Sequence, residues 1–505
     1  MILIGCDSGG RSAVGGGKAE VGKIPDYPQR PGDPQRGYDT LINRALVTCG
    51  LPYSAYARSA ASDPRDPDLM LPGRTGRNRE LPYLLTAHQA PSGAELVTYN
   101  CLTCHAAVFD GRLMVGLGNA FLDMTQDPLV AVASAGAYVK GKAERAEWRR
   151  WADRIAVLSG YMMTDTIGVN SANNLTLALM AHRDPKTLAW SGQPLMEPPP
   201  ERPLPVAVPP WWTMGKKHAL FYNGEGRGDQ VRHMMLASSV CIDSVDEARA
   251  IDAWLVDVRA YLAALKPPAF PFAVDSALAE RGQAVFASNC QRCHGTYGED
   301  SRYPNRVVAL GKVGTDPELA RAAYADADRF RDWFQRSFYG ELSQVAPALG
   351  YVSPPLDGIW ATAPYLHNDS VPTLAALLES RERPAYWQFA RSGAGAPLYD
   401  HERVGWTYET LSEGKAAAMS WDARNRIYDT TSKGYGNGGH TLGDALSPGD
   451  RRASSPLEVT IDAGETRFVR VRVDVEPQAI ALALVETDAP DAERALTNAV
   501  REDVN

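Results

Sequence analysis

The sequence predicts a mainly α-helical chain in which two similar domains with long loops are followed by a small C-terminal β module. Three observations support this architecture. The pentapeptide Cys-x-x-Cys-His occurs twice, at 101–105 and at 290–294. Apolar residues at helical spacing mark a helix over 245–265 and a shorter helix that leads directly into the second pentapeptide. After residue 455 apolar and polar residues alternate with a period of two, which is typical of strands.

Both pentapeptides are attachment signatures of a c-type haem. Two thiols add across the vinyl groups of the haem, and the adjacent His is placed to bind the iron. The residues expected to hold two covalent haems c are Cys101, Cys104, Cys290 and Cys293, with His105 and His294 as the proximal iron ligands. The alternative is a structural zinc site. Such a site needs further Cys or His pairs, and the three other cysteines are isolated in the sequence.

The domain organisation follows from these markers. We expect a lipobox and flexible tether at 1–35, an N-terminal cytochrome c domain at 36–265, a C-terminal cytochrome c domain at 275–450 and a β-rich extension at 455–505. Pro267 and Pro268 stop the helix that closes the first domain. A helix that runs into a haem motif, as before Cys290, is the usual opening of a class I cytochrome c fold. The sequence therefore predicts two class I cytochrome c-like haem domains.

Three further segments have a readable pattern. A charged stretch over 135–161 places Trp148, Trp151, Ile155 and Leu158 on one face and predicts a helix. The Pro-rich segment 194–210 predicts an extended loop. In the extension, Val459 and Ile461 are separated by Gly464 from an alternating run over 469–475, which predicts a hairpin or small β module.

Length and composition limit the number of domains and the kinds of partner that can be expected. The chain has 505 residues, of which 44% are hydrophobic, so two or three domains with sizeable cores are expected. Its net charge of −8 is mild and unclustered, which argues against nucleic acid as a partner. Because no apolar run approaches the length of a membrane-spanning helix, we expect contact with a membrane only through a lipid anchor.

The N-terminus suggests such an anchor. The tetrapeptide at 3–6 resembles a bacterial lipobox in which Cys6 receives lipid, and glycines at 9–17 form a flexible tether. The basic region and longer apolar stretch of a normal signal are missing before it. The alternative is an ordinary buried Cys6. Haem c is attached outside the cytoplasm, so we expect a periplasmic or cell-surface protein. In an oxidising compartment Cys49 and Cys241 are expected to form a disulfide, the alternative being two buried thiols.

The sixth position of each iron decides function, because an iron with two strong ligands transfers electrons whereas an open face binds dioxygen or peroxide. For the second haem the candidate is His440, which ends a Gly-rich loop that lets backbone pass close to a flat macrocycle. Its competitors from the same region are Met419, Tyr428 and Tyr435, whereas His367 is expected to be structural or to lie at the haem edge. For the first haem no distal ligand is evident.

Two neighbouring tryptophans, Trp211 and Trp212, follow the Pro-rich loop. They are candidates to stack near the first haem, where they would relay electrons or shield a gas pocket. The alternative is that both indoles fill a core. Lys216 and Lys217 are candidates for pairing with haem propionates, although two lysines are more often a solvated face.

Longer motifs resemble a known group. Two haem motifs, together with the stretch Pro-Pro-Leu-Asp-Gly-Ile-Trp-Ala-Thr-Ala-Pro-Tyr-Leu-His-Asn at 354–368, are similar to the bacterial di-haem cytochrome c peroxidase superfamily. Asp369 stands where that stretch usually has Gly. The segments at 100–105, 116–119, 209–212 and 436–440 resemble the rubber-oxygenase-like branch. The resemblance covers roughly residues 38–450 and is absent from the β extension.

The resemblance implies roles for these residues. His105 would be the proximal ligand of an N-terminal active haem with an open or dioxygen-occupied face, with Trp211 or Trp212 near it. His294 and His440 would both bind a low-spin C-terminal haem. Peroxidases of the superfamily hold a calcium between their domains and use a distal Glu with a Gln, and no residue here demonstrates either feature.

The sequence thus predicts an exported haem-dependent oxidoreductase of the peroxidase or dioxygenase type. Electrons would pass between the bis-His haem and the His105 haem, where dioxygen or peroxide is activated. The expected partners are a small redox protein or an organic substrate. The alternative is a non-catalytic electron-carrier subunit in which both haems are six-coordinate.

Overall fold

The computed structural model describes residues 21–59, 69–298, 301–391 and 398–454, and the strands at 467–472 and 482–487. The chain forms two compact units. The first comprises Met1–Lys266 and Ser301–Leu356, and the second comprises Pro267–Asp300 and Asp357–Asn505. The chain therefore enters the second unit, returns to the first after the second Cys-x-x-Cys-His motif, and enters the second unit again. This course differs from the predicted boundaries, which kept 275–450 together.

The first unit is organised around the helix Val245–Ala264. Ser244 caps its N-terminus by accepting a hydrogen bond from the backbone of Glu247, and the helix ends before Pro267. The predicted helix over 245–265 is confirmed. The other α-helices of this unit are Pro34–Asn43, Tyr53–Ser59, Leu102–His105, Pro128–Gly136, Lys142–Leu158, Ala172–Ala181, Gln230–Met234, Leu310–Val313, Glu318–Ala325 and Ala327–Arg336. Short 3-10 helices lie at Gly76–Glu80, Ser159–Tyr161, Trp211–Lys216, Met235–Val240 and Phe338–Glu341.

Short strands connect distant parts of the first unit. Antiparallel sheets join Leu51–Pro52, Glu95–Tyr99 and Leu85–Gln89; Ala106–Phe109 and Arg112–Val115; Ala219–Leu220, Gly226–Gly228 and Ser343–Val345; and Val307–Ala309 and Gly350–Val352. The strand Ser343–Val345 comes from the returning segment 301–356 and pairs with Gly226–Gly228. This pairing joins residues more than a hundred positions apart.

The returning segment also completes the main core of the first unit. Its aromatic side chains are buried in the same apolar cluster as Leu41, Trp211 and Leu255, and they are Phe330, Trp333, Phe334, Phe338 and Tyr339. The Trp333 indole donates a hydrogen bond to the carbonyl of Arg183 at 2.7 Å, and the hydroxyls of Tyr339 and Ser239 are 2.9 Å apart. The first unit therefore contains residues from both sides of the second haem motif.

The second unit contains fewer and shorter elements. Its α-helices are Ser276–Asn289, Gln291–His294, Leu374–Leu378, Trp421–Arg426 and Pro448–Ser454, with 3-10 helices at Ile359–Ala361, Ser380–Glu382, Lys415–Ala417 and Thr441–Ala445. The strand Tyr386–Phe389 lies between Tyr408–Thr410 and Tyr428–Asp429, and Tyr399–Asp400 pairs with Gly405–Trp406. Asp275 caps the helix Ser276–Asn289, which leads into the second haem motif as expected.

The prediction of a mainly α fold built from two cytochrome domains is wrong. The described residues combine helices with several small sheets, so the content is mixed. The sequence pattern did not predict these sheets, because most of their strands span two to five residues, too few to establish a period of two. The helix expected over 135–161 is also divided. Gly141, with a φ of 80°, lies between the helices Pro128–Gly136 and Lys142–Leu158 and interrupts the helical path.

In the C-terminal extension, Arg467–Arg472 pairs antiparallel with Leu482–Thr487. This hairpin is displaced from the predicted one, whose first strand at Val459 and Ile461 lies outside the described residues. The lipobox residue Cys6 also lies outside them. A disulfide joins Cys49 and Cys241, with 5.5 Å between their Cα atoms. Among the described helices, none combines the length and apolar character that a bilayer crossing requires.

Candidate functional site

The first Cys-x-x-Cys-His motif forms the single-turn helix Leu102–His105, which begins directly after Cys101. Asn100 fixes its start. The side-chain oxygen of Asn100 accepts a hydrogen bond from the backbone N–H of Leu102 at 2.8 Å, and its amide donates to the carbonyl of Tyr83 at 2.9 Å and to Thr86 at 2.8 Å. The Asn that precedes the motif therefore anchors the turn that carries the motif to the neighbouring strand.

His105 has the surroundings of a proximal ligand. Its Nδ1 atom lies 3.2 Å from the carbonyl oxygen of Pro209. A hydrogen bond at Nδ1 holds the imidazole in the tautomer whose Nε2 is available to a metal. Burial lowers the pKa of His105 to about 4, so the ring is neutral at neutral pH, as ligation requires. The ring also stacks on Trp211, with centroids 4.6 Å apart and planes inclined by 20°.

Three separate segments meet at this histidine. The backbone N–H of Gly116 donates to the carbonyl of His105 at 2.8 Å, and the backbone N–H of Trp211 donates to the carbonyl of Gly116 at 2.9 Å. A side chain at Gly118 would place its Cβ atom 2.0 Å from the carbonyl oxygen of Val208, so only glycine permits this approach. The segments 100–105, 116–119 and 209–212, which the resemblance selected separately, thus surround one imidazole.

The structure distinguishes the two tryptophans that the sequence left open. Trp211 stacks on the His105 ring, and Trp212 is the more deeply buried of the two, with 5% of its surface exposed. Trp211 also belongs to the main core of the first unit. It therefore fills a core and touches the candidate iron ligand at the same time.

Both thiols of the first motif have pKa values above the ordinary range. Burial raises the pKa of Cys101 to about 11 and that of Cys104 to about 12, so both are protonated at neutral pH. Among the described residues, no group of three or more His, Cys, Asp or Glu side chains is placed to hold a metal ion, whether zinc or the calcium that the resemblance implied. The position of Cys101 and Cys104 beside His105, and the Pro209 carbonyl that orients this histidine, fit a covalently attached haem.

The second motif brings two imidazoles close together. His294 ends the short helix Gln291–His294, and its ring centroid lies 6.0 Å from that of His440, with the planes inclined by 66°. Imidazole nitrogens bind metals at about 2 Å. A metal between two such nitrogens therefore places the ring centroids roughly 6 Å apart. The spacing of His294 and His440 fits an iron held by both rings.

The Gly-rich loop that carries His440 is held by hydrogen bonds to its backbone. The Asn368 amide donates to the carbonyls of Gly434 at 2.9 Å and Gly436 at 3.0 Å. The Arg383 guanidinium donates to the carbonyls of Asn437 and Gly439, both at 2.7 Å. In the sequence, Asn368 is recognisable only as part of a motif, and a role for Arg383 is not predicted. No spacing reveals an arginine whose partners are carbonyl oxygens, because every residue has one.

The competitors for the second iron are placed less suitably. The Met419 side chain is fully exposed, at 101% of its reference area. The Tyr428 hydroxyl donates to the carbonyl of Asn368. The Tyr435 ring is buried edge-on against Tyr428, with centroids 5.3 Å apart. His367 is buried, and burial lowers its pKa to about 3. The candidate whose ring lies against that of His294 is the expected one, at the end of the Gly-rich loop.

Asp369, which replaces the usual Gly, is buried in the left-handed region with a φ of 58°. Burial raises its pKa well above the ordinary value. Because the folded state holds this proton more tightly than the unfolded chain, the carboxyl lowers stability as the pH rises from its unfolded pKa towards its folded pKa.

We expect Asp369→Asn, which tolerates the same φ, to unfold at a higher Tm than the parent at pH 7. The advantage should shrink to near zero at about pH 3.5. Thermal unfolding across this range measures it, and a difference independent of pH would contradict the prediction.

Two known proteins are similar to part of this chain. "Uncharacterized protein y4iM" of Sinorhizobium fredii (strain NBRC 101917 / NGR234) is 36% identical over 210 residues, which cover 36% of this chain and 45% of that protein. "Uncharacterized protein y4iJ" of the same strain is 29% identical over 243 residues, which cover 37% of this chain and 38% of that protein. The chain matches less than half the length of each relative.

The family model described as "RoxA-like, cytochrome c-like" matches residues 350–388. This segment includes Asn368 and Arg383, the two side chains that hold the loop of His440. The match supports a haem c protein with a rubber-oxygenase-like cytochrome domain.

Proposed function

We propose that this chain is a di-haem c-type cytochrome that acts as an oxidoreductase of the oxygenase type. One haem is attached at Cys101 and Cys104, and the other at Cys290 and Cys293. The RoxA-like match supports the class of protein. The two Cys-x-x-Cys-His motifs, one in each unit, support the number of haems.

A difference between the two histidines carries the proposal. His294 lies opposite a second imidazole, that of His440, at the spacing of a bis-His iron. Trp211 stacks on the face of the His105 ring, and among the described residues no second imidazole has a ring contact with His105. An iron held on both faces transfers electrons, whereas an iron held on one face binds small oxidants. The His294 site is therefore the electron-transfer site, and the His105 site is the catalytic one.

The chain's own residues prepare the catalytic site. When bound there, haem supplies the chemistry of dioxygen or peroxide activation. The carbonyl of Pro209 orients the His105 ring, and Trp211 packs flat against it, so the ligand is held before any substrate arrives. The organic substrate is proposed to be a polyisoprenoid, and a small redox protein is the proposed electron partner.

Export is part of the proposal. The disulfide between Cys49 and Cys241 suits an oxidising compartment. Haem c is attached outside the cytoplasm, and lipid at Cys6 would anchor the protein in the periplasm or at the cell surface. Intact-mass analysis of protein made in a bacterial host with a complete leader tests the anchor. Loss of the lipid mass in Cys6→Ser would support it, and a parent protein without that mass would contradict it.

The function is tested on purified haem-loaded protein. We expect two haems per chain, one low-spin and one that binds carbon monoxide when reduced. A dioxygen adduct in the isolated protein, with oxidative cleavage of a polyisoprenoid, would support the oxygenase. Turnover of hydrogen peroxide with a reduced donor, and no polyisoprenoid cleavage, would identify a peroxidase instead. Two low-spin haems that bind neither carbon monoxide nor cyanide would identify an electron carrier and refute the proposed catalysis.

A further inference from the structure

We propose that Arg383 is the positioning residue that keeps His440 opposite His294. This inference rests on the proposed function, specifically on His440 as the second ligand of the electron-transfer haem. Arg383 lies outside both haem motifs and outside the Gly-rich loop. Its side chain nevertheless makes three described hydrogen bonds to the carbonyls of that loop, up to and including the carbonyl of the ligand residue.

Each of the three nitrogens of the Arg383 guanidinium bonds to backbone carbonyls. Nη1 donates to Asn437 and Gly439 at 2.7 Å, and Nη2 donates to His440 at 3.3 Å. On its other side, Nη2 donates to Leu377 at 2.8 Å and Nε donates to Ala376 at 3.1 Å. The five donors of the planar group are therefore shared between the loop and the helix Leu374–Leu378. Arg383 therefore connects the loop, at His440 itself, to the helix Leu374–Leu378.

The helix Leu374–Leu378, to which Arg383 connects the loop, is itself held in place. Thr373 is fully buried and caps the helix Leu374–Leu378 by accepting a hydrogen bond from Ala376. Beyond the ligand, a Cβ atom at Gly443 would lie 2.3 Å from the carbonyl oxygen of Leu378, so the chain passes directly over the end of this helix. Ser380 donates to the carboxylate of Asp444 through both its backbone N–H and its hydroxyl. The segment after His440 is thus anchored to the region that also receives Arg383.

His440 needs this support for two reasons. It adopts the left-handed region with a φ of 46°, beside Gly439 at 74°, a conformation that costs energy in a residue with a Cβ atom. Its Nδ1 atom is also buried without a hydrogen-bond partner in another residue. A metal-binding histidine is usually oriented by a hydrogen bond at its second ring nitrogen, as His105 is by Pro209. Because His440 has no such partner at Nδ1, its direction depends on the backbone that Arg383 holds.

The guanidinium also brings a positive charge to this site. In the described part of the chain no carboxylate lies within ion-pair distance of Arg383, whose hydrogen bonds are to carbonyl oxygens. A positive charge near a haem favours the reduced iron, which carries one positive charge less. Arg383 therefore has two separable effects, a geometric one through its planar donors and an electrostatic one through its charge.

The experiment compares Arg383→Gln, Arg383→Lys and a neighbouring control, Arg381→Gln, in the full haem-loaded protein. Arg381 is 79% exposed and pairs with Glu379. We expect Arg383→Gln to raise the fraction of the second haem without its distal ligand at least about tenfold, since charge-assisted hydrogen bonds are lost. Electron paramagnetic resonance would show this as a new high-spin signal, and added imidazole should restore the low-spin signal. With added imidazole, so that the second haem is low-spin in every variant, its reduction potential should fall in Arg383→Gln and stay near the parent value in Arg383→Lys.

The outcomes separate this inference from the proposed function. Haem content and hydrogen exchange over 276–289 first establish that the unit is folded. If Arg383→Gln is folded and keeps the parent spectrum and potential, the inference is overturned. It is also overturned if Arg381→Gln produces the same high-spin signal. The same holds if added imidazole does not restore the low-spin signal of Arg383→Gln. A parent-like spectrum in His440→Ala would instead show that the ligand assignment, and hence the proposed function, is wrong.

Discussion

His440→Ala is expected to remove the low-spin signal of one of the two haems and to replace it with a high-spin or water-ligated form. The ring of His440 lies 6.0 Å from that of His294, the spacing of two imidazoles on one iron. Alanine would leave the proposed haem attached at Cys290 and Cys293 and would remove the imidazole that lies opposite His294. Electron paramagnetic resonance of the ferric protein and the reduced optical spectrum measure the change.

A second histidine of the same unit provides the control. His401 stacks on Phe272, with ring centroids 4.9 Å apart, and has no described ring contact with His294. We expect His401→Ala to keep both haem spectra of the parent. Added imidazole should return His440→Ala to the low-spin form, because the vacant position is accessible to a ligand of the same chemistry. An unchanged low-spin spectrum in His440→Ala would mean that another residue binds the iron.

This site shows how far local sequence reasoning extends. The Cys-x-x-Cys-His spacing predicts His294 as a ligand because a proximal histidine and its attachment thiols lie within one pentapeptide. His440 is far away in the chain, and the Gly-rich loop and the family resemblance pointed to it. A Gly-rich loop predicts that the backbone passes close to a flat group such as a macrocycle. In the structure this loop carries His440, whose ring lies beside that of His294. Local chemistry thus selected His440 as a candidate, and its distance from His294 depends on the tertiary fold.

The residues that hold the ligand were less predictable. Arg383 bonds only to carbonyl oxygens, which are present at every position, so its role has no counterpart in the sequence. The stacking of Trp211 on His105 has a similar origin. Two adjacent indoles are equivalent in a sequence, and only the path of the chain through Gly116 determines which one meets the imidazole.

The mainly α prediction failed for a related reason. Helical periodicity correctly located Val245–Ala264 because its 20 residues give several turns of pattern. Strands such as Leu51–Pro52 and Gly226–Gly228 have no such pattern. They form because distant segments come together in the fold, as when Ser343–Val345 reaches Gly226–Gly228. Non-local pairing of this kind is set by the tertiary structure and not by local propensity.

Trp333→Ala is expected to destabilise the first unit by about 3–5 kcal/mol, the range for removing a large buried aromatic side chain. Trp333 lies in the returning segment Ser301–Leu356, which follows the second Cys-x-x-Cys-His motif in the chain but belongs to the first unit. Its side chain is 3% exposed, and its indole donates a hydrogen bond to the carbonyl of Arg183 at 2.7 Å. Alanine would leave a cavity and remove this donor, and both effects destabilise. Because a domain is stable by only about 5–15 kcal/mol, this single change removes a large part of the free energy of unfolding.

The matched control is Trp421→Ala, since Trp421 is 59% exposed and should change the free energy of unfolding by no more than about 0.5 kcal/mol. Denaturant unfolding measures the loss, and hydrogen exchange locates it. In Trp333→Ala, exchange should rise in the helix Val245–Ala264 of the first unit and stay near the parent rate in Ser276–Asn289 of the second. If the increase appeared in Ser276–Asn289 alone, the segment 301–356 would belong energetically to the second unit, as the boundaries expected from the sequence implied.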